Sequence, residues 1–443
     1  MLLVRLAAVY VCVYVCVCVV VSGQRGGASD AEVRALHSLY TSTNGLTWLW
    51  RNDTSSLTRW NFTRHWSEDG DGDGDGNSNG GVYEYVHDPC ADEWEGVECS
   101  KQPQQCIRQP CDITRLILPS RNLTGFLPSE IGELTALQLL HLEFNALTGT
   151  IPPDIGNMTS LLFLTLEHNS LSGSIPIEIS KLIRLNALDL EVNFITGSLP
   201  TFIGRLPRLD LLDVENNLFT GSIPMELGLL DSLAVLNLQY NMFTGNLPES
   251  IGNISTLQII DVQRNFMSGP IPHTLGKLRR VDKLDMDSNH FSGTIPPELG
   301  NLRQLVHLDV EGNLLTGTIP SELGALVNME VLDLKHNSIV GSIPSALGSM
   351  SRITDMNLED NMLSGTVPVE LSKLHLLVYF QIQNNAITGK INQIFNSTAQ
   401  LQLEIIDMSN NLLSGRYPED MFDLPAVRVV SLSGMKSANY DII

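Results

Sequence analysis

One asparagine recurs every 24 residues, and that period constrains the fold more than any other feature of the chain. With Asn145 as origin, the slot returns at Asn169, Asn193, Asn217, Asn241, Asn265, Asn289, Asn313, Asn337, Asn361 and Asn385. Arg121 holds it one period earlier, and Asn411 holds it after a gap of 26. This makes thirteen repeats, from about Ile113 to Leu424. A fixed period in the twenties predicts a solenoid, in which each unit buries its apolar side only against its neighbours. A 443-residue chain built this way need not split into separate globular domains.

The other columns of the repeat have physical reasons. Apolar residues lie three and five before the asparagine, as Leu190 and Leu188 do, so both fall on one face of a short strand. Further apolar residues lie eight before it (Leu185) and two after it (Phe219). The asparagine is expected to turn inward and satisfy backbone groups where the chain bends. Glycine follows four residues later in all thirteen repeats, Gly125 through Gly415, which suits a bend that a Cβ would strain. Proline follows at seven in twelve of thirteen, Asn392 being the exception. A residue without an N–H belongs at an edge or in an outer layer.

These columns, L-x-x-L-x-L-x-x-N-x-L-[TS]-G-x-[IL]-P, resemble the plant-type leucine-rich-repeat family over about 310 residues. The resemblance implies an α/β solenoid: a right-handed superhelix whose concave side is a parallel β-sheet, with short second strands at Gly-x-Ile-Pro. Thirteen strands spaced near 4.8 Å imply an inner sheet roughly 58 Å long. The block before the repeats, 24–112, resembles the cap of the same family. Arg34 to Asn44 looks like its amphipathic helix and turn. Trp48, Trp50, Trp60 and Trp66 look like aromatic cover, and Asp88 to Cys99 resembles its cysteine motif. The departure is an Asp/Gly/Asn-rich insertion, 67–81, which reads as a disordered loop. Beyond Leu424, Val430 and Leu432 hold the core phase, but Met435 and Asn439 replace the asparagine and glycine. Residues 425–443 are therefore a partial repeat or a terminal cap. The family includes receptor-like ectodomains and free binders such as plant inhibitors of wall-degrading enzymes.

Residues 1–23 read as a secretory signal: Arg5, then 16 apolar residues from Leu6 to Val21, then small residues to Gly23. The run is short for a membrane span. Contact with a membrane would need this segment uncleaved, or a further segment beyond Ile443. Outside the signal the cysteines are Cys90, Cys99, Cys106 and Cys111, an even cluster that reads as two disulfides in an oxidising compartment. Three pairings are open; sequential closure is preferred. A four-thiolate zinc site would need a reducing compartment and has no histidine beside it. Six N-x-S/T sequons, at Asn52, Asn61, Asn122, Asn157, Asn253 and Asn396, agree with secretion and glycosylation.

Acids outnumber bases 49 to 27, for a net charge of -22. Such a surface repels nucleic acid and points to a basic or neutral partner, a protein or peptide first and a glycan second. Two acidic columns alternate with the core leucines and would face the concave side. One holds Asp189, Asp213, Asp261, Asp285, Asp309, Asp333 and Asp407, with Asn237 and Asn357 between them. The other holds Glu143, Glu167, Glu191, Glu215, Asp287, Glu311 and Glu359, interrupted by Lys335. Neighbouring strands bring such residues within about 5 Å, where like charges repel. A cationic ligand would relieve them, as would uneven placement of the side chains. The first column also has a bland reading, in which its aspartates order the strand surface. Phe144, Phe163, His168 and Tyr240 lie nearby as candidate anchors.

The sequence offers no cofactor or metal site. The Asp69–Gly76 run alternates acid and glycine, but Val82 stands where a calcium loop needs its bidentate Glu. No nucleophile elbow, zinc-protease helix or phosphate loop is present. An open sheet lacks the desolvated pocket a glycosidase pair requires. The expected function is extracellular recognition without catalysis. A matrix or adhesion protein joined through cation-bridged acidic faces is the alternative.

Overall fold

The computed structural model describes residues 28–49, 60, 62, 64–67, 82–85, 87–390, 395–396, 399–414 and 424–433. The signal, Asn52, Asn61, Trp50, the Asp69–Gly76 run, Asn392, Gly415, Met435 and Asn439 lie outside them, as do residues 68–81 of the insertion. Ser67 itself ends a strand, Arg64–Ser67, that pairs antiparallel with Val82–Tyr85. The chain divides into two compact units, Met1–Thr196 and Gly197–Ile443.

The first unit begins with the helix Asp30–Ser42. Ser29 caps it by accepting the Glu32 N–H, while the Glu32 carboxylate accepts the Ser29 N–H at 2.8 Å. The other Glu32 oxygen accepts the Ile113 N–H at 2.7 Å and so ties the helix to the first repeat strand. Trp48, Trp60, Phe62 and Trp94 are buried around it. The Trp48 indole donates to the Thr43 carbonyl and that of Trp60 to the Glu95 carbonyl. Disulfides join Cys90 to Cys99 and Cys106 to Cys111. Strand Val97–Cys99 pairs antiparallel with Ile113–Ile117, closing the end of the repeat array. A solenoid end must be covered in this way, because its last leucines have no neighbour.

Three-residue strands then follow in parallel register, each residue pairing with the one 24 later: Leu139 with Phe163 and Phe163 with Ala187. The central residue of each, Leu140, Leu164 or Leu188, is fully buried. The asparagine does what its column implied. Asn145 donates to the carbonyls of Leu118, Leu142 and Glu143, and its Oδ1 accepts the N–H groups of Arg121 and Leu123, all at 2.9–3.1 Å.

The second unit repeats this plan through ten parallel strands, from Leu211–Asp213 to Val429–Ser431. The last pairs with Ile405–Asp407, so the terminal half-repeat adds a strand. In both units a second row of short strands runs beside the first. These strands fall earlier than expected, ending at or near the glycine, as in Leu218–Gly221, instead of covering Gly-x-Ile-Pro. The glycines hold φ of +73° to +92°, and that turn ends the extended run.

The outer layer is a series of five-residue 3-10 helices that the period alone did not announce. Each follows a proline whose carbonyl accepts the N–H three residues on, as Pro296 does from Leu299 at 3.1 Å. Successive helices touch closely. A Cβ on Gly300 would run into the Glu322 backbone carbonyl. Ser180 and Ser372 hold this slot in two repeats, so the layer yields at a cost. Gly300→Ala is therefore expected to destabilise by about 1–2 kcal/mol, read as a lower urea midpoint with unchanged slope. No helix among the described residues is long and apolar enough to cross a membrane.

Candidate functional site

The two acidic columns lie on the outward side of the main strands, and the structure treats them differently. In the column four before the asparagine, each aspartate turns one oxygen back onto its own chain. Asp309 accepts the Glu311 N–H at 2.9 Å, Asp333 the Lys335 N–H at 3.0 Å and Asp213 the Glu215 N–H at 3.0 Å. Asn237 and Asn357 do the same with their amide oxygens. This is the bland reading of the column, a side chain ordering the end of a strand. It also corrects the expected display. Asp213, Asp261 and Asp285 are only 2–8% exposed, and Asp287 of the other column is 7% exposed. A partner would reach little of them.

Within the second unit the repulsion is relieved internally. Lys283 bridges Asp261 and Asp285, and Lys335 pairs with Glu311 at 3.0 Å. Asn237 donates to Asp213 and Glu215, and Gln263 to Asp285. Arg264 lies 5.1 Å above the Tyr240 ring, occupying one expected anchor. Relief is incomplete. Burial, reinforced by Asp333, Asp285 and Asp287, pushes the Asp309 carboxyl up to about 8. Burial likewise lifts Asp285 and Asp333 to about 6.

The first unit has less such interleaving: Arg115, in the column that Lys283 holds, pairs with Glu98, and Thr165 donates to Glu143 at 3.2 Å. Its two columns read His141, Thr165, Asp189 and Glu143, Glu167, Glu191, with no lysine or arginine. Glu167, Asp189 and Glu191 bring carboxylate oxygens within 4.8 Å of one another. Burial, then a hydrogen bond and charge from Glu167, push Asp189 up to about 7. Beside them Phe144 stacks on His168 at 4.4 Å, and His168 Nε2 lies 3.3 Å from Glu191. Phe144 is 51% exposed and Phe163 37%.

A further column escaped the sequence reading. The residue just before the asparagine takes the left-handed conformation in nearly every repeat: Phe144 (φ +56°), His168 (+50°) and Tyr240 (+51°) among them. The turn presents these side chains at the rim of the strand face. Nothing in their identities marks the conformation, because even Val192 adopts it (φ +50°). Elsewhere, an open depression in the second unit is lined by Pro344, Thr366 and Val367, with Ser345, Glu370 and Lys390 also on its wall.

Repeated three-residue strands, an inward asparagine ladder and a disulfide-closed cap define a leucine-rich-repeat solenoid. Six stretches, 136–158, 160–182, 232–254, 280–302, 304–326 and 328–350, match the Leucine Rich Repeat family. No curated protein matches the chain. Among solved structures, it is similar to the plant peptide hormone receptor RGFR1 in complex with RGF2 (35% identity, TM-score 0.66, 70% of this chain and 49% of that one). It is similar also to a TDR receptor (33% identity, TM-score 0.69, 72% and 55%). A third is the LRR ectodomain of the Arabidopsis receptor kinase HAESA with an IDA peptide hormone (27% identity, TM-score 0.68, 79% and 57%). The chain thus spans about half the length of these receptor chains. It belongs to the plant-type leucine-rich-repeat family.

Proposed function

We propose that the protein is an extracellular recognition module, not an enzyme, and that it captures a basic protein or peptide on the outward strand face of its first unit. The carrying observation is the carboxylate block Glu143, Glu167, Asp189 and Glu191, which has two histidines beside it and no lysine or arginine in its columns. In the second unit equivalent carboxylates are already engaged by Lys283 and Lys335. A cationic side chain arriving at the first block would supply what those lysines supply elsewhere. Exposed Phe144 and Phe163 would add the apolar contact that fixes position. The similar solved structures include receptors of peptide hormones, which supports a peptide-sized ligand and a cell-surface or secreted setting. The paired cysteines support the same setting.

An oligolysine peptide of ten residues serves as the probe. Its affinity is expected to fall at least about tenfold as sodium chloride rises from 0.05 to 0.3 M. The triple variant Glu143→Gln, Glu167→Gln, Glu191→Gln is expected to lose most of it. Binding indifferent to salt, or unchanged in the triple variant, would remove this face as the site. The alternative, assembly through bridged carboxylates, is favoured by close groupings such as Glu167–Asp189–Glu191, Asp309–Glu311–Asp333 and His336–Glu359–Asp360. It requires calcium-dependent association in light scattering.

A further inference from the structure

The second row of strands carries a pattern that the recognition reading does not use. Counting from the repeat asparagine, position +2 points inward: Phe219, Phe243, Met267 and Phe291 are fully buried. Positions +1 and +3 alternate with it on the outward side, and +5, past the glycine turn, is exposed in each repeat from Ser222 to Thr366. In the Gly197–Ile443 unit the +1 column is mostly apolar and open, with Leu218 40%, Phe266 54%, Leu314 56% and Met362 53% exposed, interrupted by His290, which stacks on Phe266, and by Ser338. The +3 and +5 columns are mostly Thr and Ser. The strand register sets them side by side: Thr294 opposite Thr316, Ser342 opposite Ser364, Thr366 opposite Thr388.

The same three columns contain no Asp or Glu in any of the thirteen repeats, although the chain has 49 acids. Between Leu218 and Thr388 they contain no lysine or arginine either. The unit's two sequons, Asn253 and Asn396, also fall outside them. This is a neutral strip of hydroxyls and exposed apolar side chains on a protein of net charge -22.

We propose that this strip is a self-association surface that docks a second copy of the chain. Charge argues for a copy. Two molecules of this charge repel through any acidic surface, and the strip is where they can approach without setting carboxylates against carboxylates. Area argues for it too. Eight strands lie between Leu218 and Lys390. At a spacing of about 4.8 Å and a width of five residues, they present roughly 650 Å² per copy. A pair would bury roughly 1,300 Å², at the lower end of stable specific interfaces. Salt should strengthen this contact by screening the net repulsion, whereas capture of a basic peptide weakens with salt.

The experiment is gel filtration with light scattering on the secreted full chain, at about 0.05 and 0.5 M sodium chloride, with and without EDTA. A dimer whose population grows with salt and concentration, and ignores EDTA, is expected. Phe266→Glu with Leu314→Glu should weaken it at least about tenfold, and Met362→Glu is an independent second variant. All three positions are half-exposed, so melting temperature should not move. Glu191→Gln should leave dimerisation intact, and the double variant should still bind oligolysine. A monomer at every salt up to about 100 μM, a dimer that survives both variants, or one dissolved by EDTA would overturn the proposal.

Discussion

Asn265→Ala should cost on the order of 3–5 kcal/mol, among the largest effects of any polar substitution in the chain. The Asn265 amide donates to the carbonyls of Leu238, Val262 and Gln263 and accepts the Phe243 N–H, at 2.9–3.2 Å. The residue is 5% exposed, so water cannot replace these bonds. Each buried group left unpaired costs about 1–3 kcal/mol. Asn265→Asp is the sharper test, because it keeps the shape. Its Oδ1 still accepts from Phe243, but its second oxygen meets three carbonyl oxygens and carries charge. A role in filling space predicts that Asp is tolerated better than Ala. A role in hydrogen bonding predicts that Asp is at least as damaging.

The readout must respect the architecture. A repeat interacts mainly with its neighbours, so damage can open locally before the whole chain unfolds. Amide hydrogen exchange should show lost protection centred on Leu238 to Met267, with distant repeats unchanged. Thr220→Ala, which removes an exposed hydroxyl, should change stability by no more than about 0.5 kcal/mol. Equal protection in the Asn265→Ala protein would mean that the ladder contributes little.

The period exposed the parts of this fold that every repeat obeys. Leu188, Asn193 and Gly197 recur in phase because strand, bend and left-handed turn each demand a residue type. Phase does not reveal direction. Asp213 and Glu215 both read as outward acids, yet Asp213 is spent on a backbone N–H and is 8% exposed. A hydrogen bond to a residue two positions away leaves no trace in spacing. The outer 3-10 helices were hidden for a related reason. Their recurring proline is visible in the sequence and reads as an edge marker, whereas what it does is accept the first bond of a helix, as Pro296 does. The lateral strip is not legible in spacing because it is defined by the residue types its columns lack. The candidate site is half legible: its residues stand out in the sequence, but the contrast between carboxylates bridged by lysines in the second unit and acidic columns without lysine or arginine in the first depends on the positions of Lys283 and Lys335.

The aspartate column should make the protein less stable as pH rises through neutrality, opposite to the usual behaviour of native carboxylates. An aspartate in the unfolded chain titrates near 3.9, while Asp309 is pushed up to about 8 and Asp189 to about 7. The folded state then binds more protons than the unfolded one across the interval, so stability falls as pH increases. That contribution is fully present below pH 4 and is lost as pH passes each raised value. Burial holds His141 and His307 below the ordinary histidine range, an opposite effect confined to lower pH. The clean window is therefore pH 6.5 to 8.5. There Asp309 alone should cost on the order of 2 kcal/mol, allowing for its partial exposure, and the melting temperature should drop by several degrees. The chain itself supplies the diagnostic variant. Asn237 and Asn357 occupy the same column and accept the same kind of backbone N–H without a charge. Asp309→Asn should thus stabilise the protein at pH 8.5, change little at pH 5, and flatten the slope between. A melting temperature that rises with pH in the wild type, or a variant less stable than wild type at pH 8.5, would show that the stacked carboxylates are relieved in some other way.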